Sequence, residues 1–409
     1  MATDKRDNWS KGSNNLASKD RLPEGFVRHT VNLDPLPGGR LALRAGYEQV
    51  YAGAAIRGVL SLGNNLLIAD GTDLVELNTE SGVSRVLRTI AGAGAFSGDV
   101  LNDVLYFSTE NECLQYDGLE VTPWGVPDVL YQPTVTASAA GGLIEGYYQV
   151  AVTHTDAWGR EGGTDKPIVI FAALGAALTV TIAAVPTDCV VNIYVSAVNG
   201  STLFHQNTVD VTGDVVVGQI RDDTTRCTTV LTRAPRPGTQ VVAHNATLAI
   251  AKNNVVEQTK PMQPHLVDRV RGFLQFGADV GVLLSADALF VSADKCYALT
   301  NVEGDGISQK TVLEFPAVPG TGTTVQVPDG RGAFTTRGAF MTRYGQAITN
   351  GDDVQLVNRE TFAPVITSRG AAGVLENNGN QLVVTTLQGK NRPNPLAASD
   401  FFVGEIINP

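Results

Sequence analysis

The feature that most constrains the fold is a strand-and-turn unit that recurs along the chain. Each unit contains a polar turn, a short apolar strand, a second turn rich in Asn, Asp, Gly or Lys, and another strand. The units lie at residues 62–77, 101–118, 244–257, 285–299, 338–356 and 377–387. No stretch of 15 residues has helical periodicity without an interrupting Gly or Pro. The pattern therefore predicts an all-β chain.

Neighbouring units are spaced like the blades of a propeller. Matching leucines are 39 residues apart between Leu66 and Leu105, and 41 apart between Leu248 and Leu289. A unit of this kind buries only one face by itself, so it needs its neighbour to cover it. Four-stranded blades repeat at about 40–50 residues, and we predict a β-propeller of about six blades.

One gap in the series is much longer, at 143 residues between Leu105 and Leu248. Within it, residues 132–232 contain six or seven short alternating strands, which is typical of a β-sandwich. The Cys, Trp and Cys framework of a true immunoglobulin domain is absent, which favours a fibronectin-III-like sandwich within the Ig-like class. We predict an extended N-terminal arm at 1–48, propeller parts at 49–131 and 233–409, and the inserted sandwich at 132–232.

Motifs for metal, redox and phosphate chemistry are missing. The four cysteines form no Cys-x-x-Cys pair, and the five histidines form no metal-binding pattern. No Gly-x-Ser-x-Gly elbow or Walker lysine occurs. Asp222 with Asp223, and Asp352 with Asp353, could hold Ca²⁺ but lack the spacing of a defined loop. We predict no cofactor, no metal and no catalytic residue.

The chain has unusually few charges. Charged residues make up 17% of it, against about 25% in ordinary soluble chains, and the net charge is −11. Hydrophobic residues make up 43%, which excludes a disordered chain. No apolar run reaches the roughly 18 residues of a membrane span, and residues 1–15 lack the apolar core of a secretory signal. A low charge density is typical of surfaces that pack against other subunits.

The arm at 1–48 differs from the rest because it is slightly basic, with eight basic and six acidic residues. A large aromatic residue beside arginines on a weakly charged surface has the composition of an interface anchor. The alternative is that Trp9 packs on its own domain. The candidate docking residues of the arm are Trp9, Arg21, Leu22, Arg28, Asp34, Arg40 and Arg44.

Three short runs carry a resemblance to a known family. Arg21-Leu-Pro-Glu-Gly25, the run from Val31 to Leu41 and Pro264-His-Leu-Val-Asp268 resemble the tail-nozzle proteins of short-tailed double-stranded-DNA bacteriophages. These are also called packaged-DNA-stabilisation or head-completion proteins. The resemblance covers most of the chain, but only those runs are specific.

The resemblance implies a late virion protein of the tail, made in the host bacterial cytoplasm. It implies a homo-oligomeric ring, with six copies in such nozzles, below the portal and its adaptor. The ring would retain packaged DNA and conduct it during ejection, next to other tail proteins such as a needle, fibre or spike. An acidic chain without a basic patch fits a lumen that passes DNA without sequence-specific binding.

Two alternatives stay open. A polysaccharide-degrading enzyme would need two carboxylates about 5–9 Å apart, for which Asp70, Asp73, Asp352 and Asp353 are candidates in turn-like settings. A receptor- or polysaccharide-binding tail protein would use exposed aromatic residues of the sandwich. Its candidates are Tyr147, Tyr148, Trp158 and Phe204.

Overall fold

The computed structural model describes residues 8–12, 14–28, 33–36, 38–43, 48–90, 92, 94–302, 306–328, 333–357, 359–361, 368–377 and 380–388. In this part of the chain every regular element is a β-strand, apart from a three-residue 3₁₀ turn at Lys19–Arg21. The predicted all-β class is confirmed. The first two strands, β1 (Leu33–Leu36) and β2 (Arg40–Leu43), form an antiparallel hairpin in the arm.

Two four-stranded antiparallel sheets follow the arm. Their strands are β3 (Ile56–Leu62), β4 (Asn65–Asp70), β5 (Asp73–Asn78), β6 (Ser84–Thr89), β7 (Ser97–Leu101), β8 (Val104–Ser108), β9 (Cys113–Tyr116) and β10 (Val121–Pro123). Each sheet is a meander in which every strand pairs with the next one along the chain. This is the topology of a propeller blade.

The inserted segment forms two sheets. Its strands are β11 (Thr134–Leu143), β12 (Gly146–Asp156), β13 (Ile168–Ala172), β14 (Ala176–Ile182), β15 (Cys189–Ser196), β16 (Leu203–Val209) and β17 (Gly213–Val217). One sheet has the order β11-β14-β17 and the other has the order β13-β12-β15-β16. Their inner faces share one core of buried aliphatic side chains, which includes Val150, Leu178 and Ile193. A four-stranded and a three-stranded sheet with a common core make a sandwich.

Blade-type sheets resume after the sandwich. The third contains β18 (Thr232–Arg233), β19 (Gln240–His244), β20 (Thr247–Lys252), β21 (Val255–Lys260), β22 (Gln263–Asp268) and β23 (Phe273–Gln275). The fourth and fifth contain β24 (Val282–Ser285), β25 (Leu289–Ser292), β26 (Cys296–Thr300), β27 (Ser308–Leu313), β28 (Thr323–Pro328), β29 (Phe334–Thr342), β30 (Gly345–Asn350) and β31 (Asp353–Val357). A last hairpin joins β32 (Gly370–Asn377) and β33 (Asn380–Leu387). Besides the sandwich and the arm hairpin, the described residues thus hold five blade-type sheets and one further hairpin, in agreement with the predicted β-propeller class.

The recurring units of the sequence correspond to the inner strands of these sheets. The first four units contain β4 with β5, β8 with β9, β20 with β21, and β25 with β26. Burial explains the correspondence, because an inner strand such as β20 or β25 is nearly continuous in buried, mostly apolar residues. The turns before several inner strands have positive φ, as at Gly63 (56°), Asn102 (52°) and Asn245 (52°). Gly and Asn accept this conformation at the lowest cost, which accounts for their recurrence.

The chain divides into two compact units. Unit 1 comprises Met1–Ala54, Ala251–Val255 and Gln275–Pro409, and unit 2 comprises Ala55–Ile250 and Val256–Leu274. Unit 2 therefore contains the first two blade-type sheets, the sandwich and most of the third sheet. Each unit has its own buried cores, such as Leu67, Leu105 and Phe107 in unit 2, and Leu284, Phe290 and Phe340 in unit 1. The domain boundaries given above stay predictions.

Candidate docking surfaces

The arm folds back on itself through backbone hydrogen bonds. Lys11 N–H donates to Gly25 O at 2.9 Å, Asn14 N–H to Val27 O at 2.8 Å, and Val27 N–H to Gly12 O at 2.9 Å. Phe26 lies under the ammonium of Lys11, with Nζ 5.8 Å from the ring centroid. These bonds give many of the arm's backbone N–H and C=O groups a partner within the arm. Its outward side chains are therefore not needed as hydrogen-bond partners for the backbone.

Trp9 lies against the β1–β2 hairpin and is half-buried. Its backbone N–H donates to Gly39 O at 2.7 Å. Gly39 has φ +79°, and a Cβ built on it would lie 2.2 Å from Asn8 Oδ1. Only glycine fits this close approach, so Gly39 fixes where Trp9 sits. An indole in this position is partly covered by its own chain, and the remaining part is free to contact a partner.

The other candidate arm residues have different settings. Arg21 and Arg40 are exposed, whereas Leu22 and Arg28 are half-buried. The Arg28 guanidinium donates to Ala17 O, so it holds the arm together and is not freely available to a partner.

The structure describes one of the two remaining candidates, Asp34. The backbone of Asp34 pairs with Ala42 in the hairpin. Arg44 lies outside the described residues. The structure therefore brings Trp9 next to Arg40 through the Gly39 contact, and it leaves Arg21 on the separate 3₁₀ turn.

The arm is tied to the rest of unit 1 at a point that no sequence motif indicated. Asn15 N–H donates to Thr361 O at 3.0 Å. Asn14, which is buried, accepts a bond from Ala17 N–H at 2.9 Å on its Oδ1 and so shapes the bend beside this contact. An Asx-type bond of this kind is a weak local signal, and the distant partner at Thr361 gives no signal in the sequence.

The sandwich offers a second candidate surface, formed by aromatic side chains on neighbouring strands. Tyr147 on β12 is directly opposite Phe171 on β13, and their ring centroids are 5.4 Å apart in an edge-to-face arrangement. Both are exposed, by 58% and 48%, and Val169 two residues away is also exposed. Of the four aromatic candidates in the sandwich, Tyr147 and Trp158 are exposed, Phe204 is half-buried and Tyr148 is buried in the core. Phe171 was missed, although its alternation with half-buried Ile170 and buried Ala172 indicated an outward position.

The rest of this sandwich face is covered by its own chain. Buried Ala151, Tyr194 and Leu203 pack against Cys227 and Val230 of the returning segment. Tyr194 Oη–H donates to Glu161 Oε1 at 2.6 Å, and Thr153 Oγ1–H donates to the same oxygen at 2.5 Å. Burial, together with the nearby Glu161 carboxylate, raises the pKa of Tyr194, which therefore stays protonated and donates.

A guanidinium connects the sandwich to the second blade-type sheet. Arg160 donates through Nε to Asp156 Oδ2 at 2.8 Å and through Nη1 to Gln115 Oε1 at 2.9 Å and Trp124 O at 3.0 Å. Its Nη2 donates to Pro123 O at 3.1 Å. The side chain of Asp156 is only 6% exposed, so the charge pair is well protected from water. The sandwich is therefore held in a defined position in unit 2.

Three of the carboxylates considered for catalysis bind backbone N–H groups or lie near a lysine. Asp70 Oδ1 accepts from Ala55 N–H at 2.6 Å, Asp352 lies 3.6 Å from Lys310 Nζ, and Asp353 accepts from Val354 N–H at 2.9 Å. Burial raises the pKa of the Cys227 and Cys296 thiols, which makes them weak nucleophiles. Among the described residues, no group of three or more His, Cys, Asp or Glu is placed to hold a metal ion.

Comparisons with known proteins leave the function open. No family model matches the chain, and no curated protein matches it. One similar solved structure is BBS1N in complex with ARL6DN, with 11% identity, 84% of this chain and 92% of that chain covered, and a TM-score of 0.31. The N-terminal domain of Nup159 gives 11% identity, coverage of 81% and 73%, and a TM-score of 0.32. Scores this low carry no argument about what this chain does.

One property of the described residues bears on membranes. None of their helices has the length and hydrophobicity to span a bilayer.

Proposed function

We propose that this chain is a structural virion protein that forms an oligomeric ring, the tail nozzle, below the portal and its adaptor. The ring retains packaged DNA and conducts it during ejection. The proposal starts from the resemblance of the runs at 21–25, 31–41 and 264–268 to that family. It also uses the blade-type sheets and the inserted sandwich, because the fold that the resemblance implies is a β-propeller with an insertion.

The arm is the observation that carries the proposal. Its backbone is paired internally, Trp9 is only half-buried, and Arg21 and Arg40 are exposed. Aromatic and arginine side chains with a satisfied backbone make an effective anchor on another protein, because little polar surface has to be desolvated without a partner. The arm therefore attaches the ring to the portal–adaptor complex.

The low charge density supports the ring. Exposed large apolar side chains occur in both units, as at Val59, Leu119, Phe273 and Phe334. In a ring, exposed apolar side chains of neighbouring copies cover each other, and charged residues are depleted in the buried centres of subunit contacts. The ring contacts bury part of this surface.

Docking on the portal–adaptor complex tests the role of the arm. Purified full-length chain, its Arg21→Glu/Arg40→Glu variant and the charge-matched control Arg236→Glu/Lys252→Glu are mixed with that complex from the virus that encodes the chain. Electron microscopy should show a ring of this chain below the adaptor for the natural chain and the control, and none for the arm variant. Arg236 and Lys252 are exposed and lie outside the arm. Undiminished docking of the arm variant would show that the arm is not the anchor, and a natural chain that never docks would refute the nozzle.

Receptor or polysaccharide binding is the second candidate, and the exposed Tyr147–Phe171 pair favours it. Flat aromatic rings that face solvent stack on sugar rings. If the natural chain does not dock on the adaptor but binds host surface polysaccharide, and Tyr147→Ala loses that binding, this function is promoted over the nozzle.

A further inference from the structure

An arginine–aromatic patch occupies one end of the fifth blade-type sheet. Arg343 and Tyr344 form the turn between β29 and β30, and Arg359 follows β31. The Arg343 Cζ is 4.7 Å from the Tyr344 ring centroid, and the Arg359 Cζ is 5.7 Å from it. Both arginines are exposed, and Tyr344 is 39% exposed. One ring is therefore in contact with two cations.

Phe315 completes the patch and limits its movement. Its ring centroid is 4.7 Å from that of Tyr344, edge to face, and 5.4 Å from the Arg343 Cζ. A bridge between Ala317 and Thr342 holds the Phe315 loop against the turn, and Tyr344 N–H donates to Thr342 Oγ1 at 3.1 Å. Guanidinium groups that stack on fixed rings lose little further freedom when they bind an anion.

The described residues supply no counter-charge to the patch. In the described part of the chain, no carboxylate oxygen lies within 4.0 Å of the Arg343 or Arg359 nitrogens. Other arginines on the molecule are neutralised at 2.8 Å, as Arg85 is by Glu76 and Arg88 by Glu112. Two unpaired, pre-positioned guanidinium groups form a binding surface for carboxylates or phosphates.

The complementary charge is present on the same chain. Unit 1, which carries the patch, has 18 basic and 19 acidic residues and a net charge of −1. Unit 2 has 12 basic and 22 acidic residues and a net charge of −10. In its sandwich, several exposed carboxylates have neither a side-chain hydrogen bond nor an ion pair within the described residues: Glu145, Asp188, Asp210, Asp222 and Asp223.

Three of these carboxylates lie along one edge of the sandwich. The segment that carries Asp222 and Asp223 runs beside β16, since Arg221 N–H donates to Gln206 Oε1 at 3.0 Å and Thr224 Oγ1–H to His205 O at 2.7 Å. Asp210 directly follows the end of β16 at Val209. We call Asp210, Asp222 and Asp223 the acidic edge.

We propose that the arginine–aromatic patch of one copy binds the acidic edge of a second copy. The inference rests on the proposed ring and names the surfaces that meet in it. Because the two surfaces are different, the contact is head to tail, which is the geometry that generates rings. A DNA duplex is the less favoured occupant, since the net charge of −11 repels it.

Charge exchange between the two surfaces tests the contact. Self-association of full-length chains is measured by analytical ultracentrifugation at 50 mM and 300 mM salt. Arg343→Glu/Arg359→Glu should raise the self-association Kd by about tenfold or more at low salt, because like charges then face each other. Asp222→Arg/Asp223→Arg should do the same, and the chain with all four changes should assemble again. The control variant Arg236→Glu/Lys252→Glu changes the net charge by the same amount as Arg343→Glu/Arg359→Glu. It should assemble like the natural chain.

Each other outcome overturns the inference in a distinguishable way. If the natural chain forms rings and the patch variant forms them equally well, the patch is not the contact, although the nozzle stands. Failure of the fourfold variant to assemble, with an unchanged melting temperature, refutes the acidic edge as partner. If the patch variant instead loses binding to a random-sequence DNA duplex and still assembles, the patch is a nucleic-acid site. A natural chain that stays monomeric contradicts the ring itself and the contact with it.

Discussion

At the scale of single residues, Arg160 shows how one side chain positions a whole domain. Its guanidinium binds Asp156 inside the sandwich and Gln115, Pro123 and Trp124 outside it. Arginine suits this task because its planar fork presents several donors in fixed directions. A lysine at 160 could not reach the same acceptors together, so the angle between the sandwich and the second sheet depends on this residue type.

His265 lies in the same charged neighbourhood and makes the stability depend on pH. Burial lowers the pKa of His265 below its ordinary 6.5, and the positive charge of Arg160 lowers it further. The folded state therefore binds fewer protons than the unfolded state just below pH 6.5. The neutral ring therefore contributes its full stabilisation above pH 6.5. This contribution falls as the pH drops below 6.5.

We expect the free energy of unfolding to decrease from pH 7.5 to pH 5.5, by at most roughly 1.4 kcal/mol per pH unit from this group. Because the ring is only half-buried, solvent screening reduces that figure. Urea unfolding at each pH measures it. His265→Gln should give a flatter profile and should differ least from the natural chain's profile near pH 7.5. An equal slope in both chains would show that His265 does not contribute.

The residue scale also shows where sequence reasoning reaches its limit. Trp9 stands out in the sequence as a large side chain in a polar arm, but its partial burial depends on Gly39, thirty residues later. The patch of Phe315, Arg343, Tyr344 and Arg359 was missed, since it joins two loops and a turn that are distant in the chain. Contacts of this kind have no local signature, because only the folded backbone brings the residues together.

At the scale of elements, the turns were the most predictable feature. Asn and Gly between apolar strands indicate hairpins because they tolerate positive φ, and the hairpins occur at those positions. The inserted sandwich was also recognisable, from the long gap and the alternating strands. The short strands β18 and β23 of the third sheet could not be recognised in the sequence. Two or three residues are too few to show the alternation of a strand.

The β7–β8 turn gives a prediction at this scale. Asn102 and Asp103 have φ of 52° and 60°, and this two-residue turn needs positive φ at both positions. Asp103→Gly should raise the free energy of unfolding by about 0.5–1 kcal/mol, and Asp103→Val should lower it by about 1 kcal/mol or more.

Chemical denaturation measures both changes. Asp287→Gly is the matched control, because Asp287 is an exposed turn residue that is absent from the positive-φ positions. It should be destabilising, as glycine only adds freedom to the unfolded chain there. If Asp103→Gly were as destabilising as the control, the turn would not have the assigned conformation.

At the scale of the whole molecule, charge is unevenly distributed. Nearly all of the net charge belongs to unit 2, at −10, against −1 for unit 1. Like charges in one compact body repel each other and reduce its stability, whereas a balanced body lacks this cost. The low overall charge fraction therefore conceals one neutral and one strongly acidic unit.

Salt should consequently stabilise the two units to different extents. Between 20 mM and 300 mM NaCl, the Debye length falls from about 20 Å to about 6 Å, which screens the repulsion in unit 2. Hydrogen exchange should slow in β4 and β8 of unit 2 and change little in β25 and β29 of unit 1. Sucrose at equal osmolality controls for general exclusion effects. Equal slowing in both units would show that the charge imbalance does not affect their stability.

The two chain segments that lead into and out of the sandwich run side by side. Ala234 N–H donates to Asp128 Oδ1 at 2.9 Å. About a hundred residues thus leave the blade-type sheets and return to nearly the same place. In evolutionary terms the sandwich is a cassette, because a single insertion or deletion between these points could add, remove or exchange it without changing the register of any blade strand. Related chains with a different module, or with none, at this position are the expected consequence.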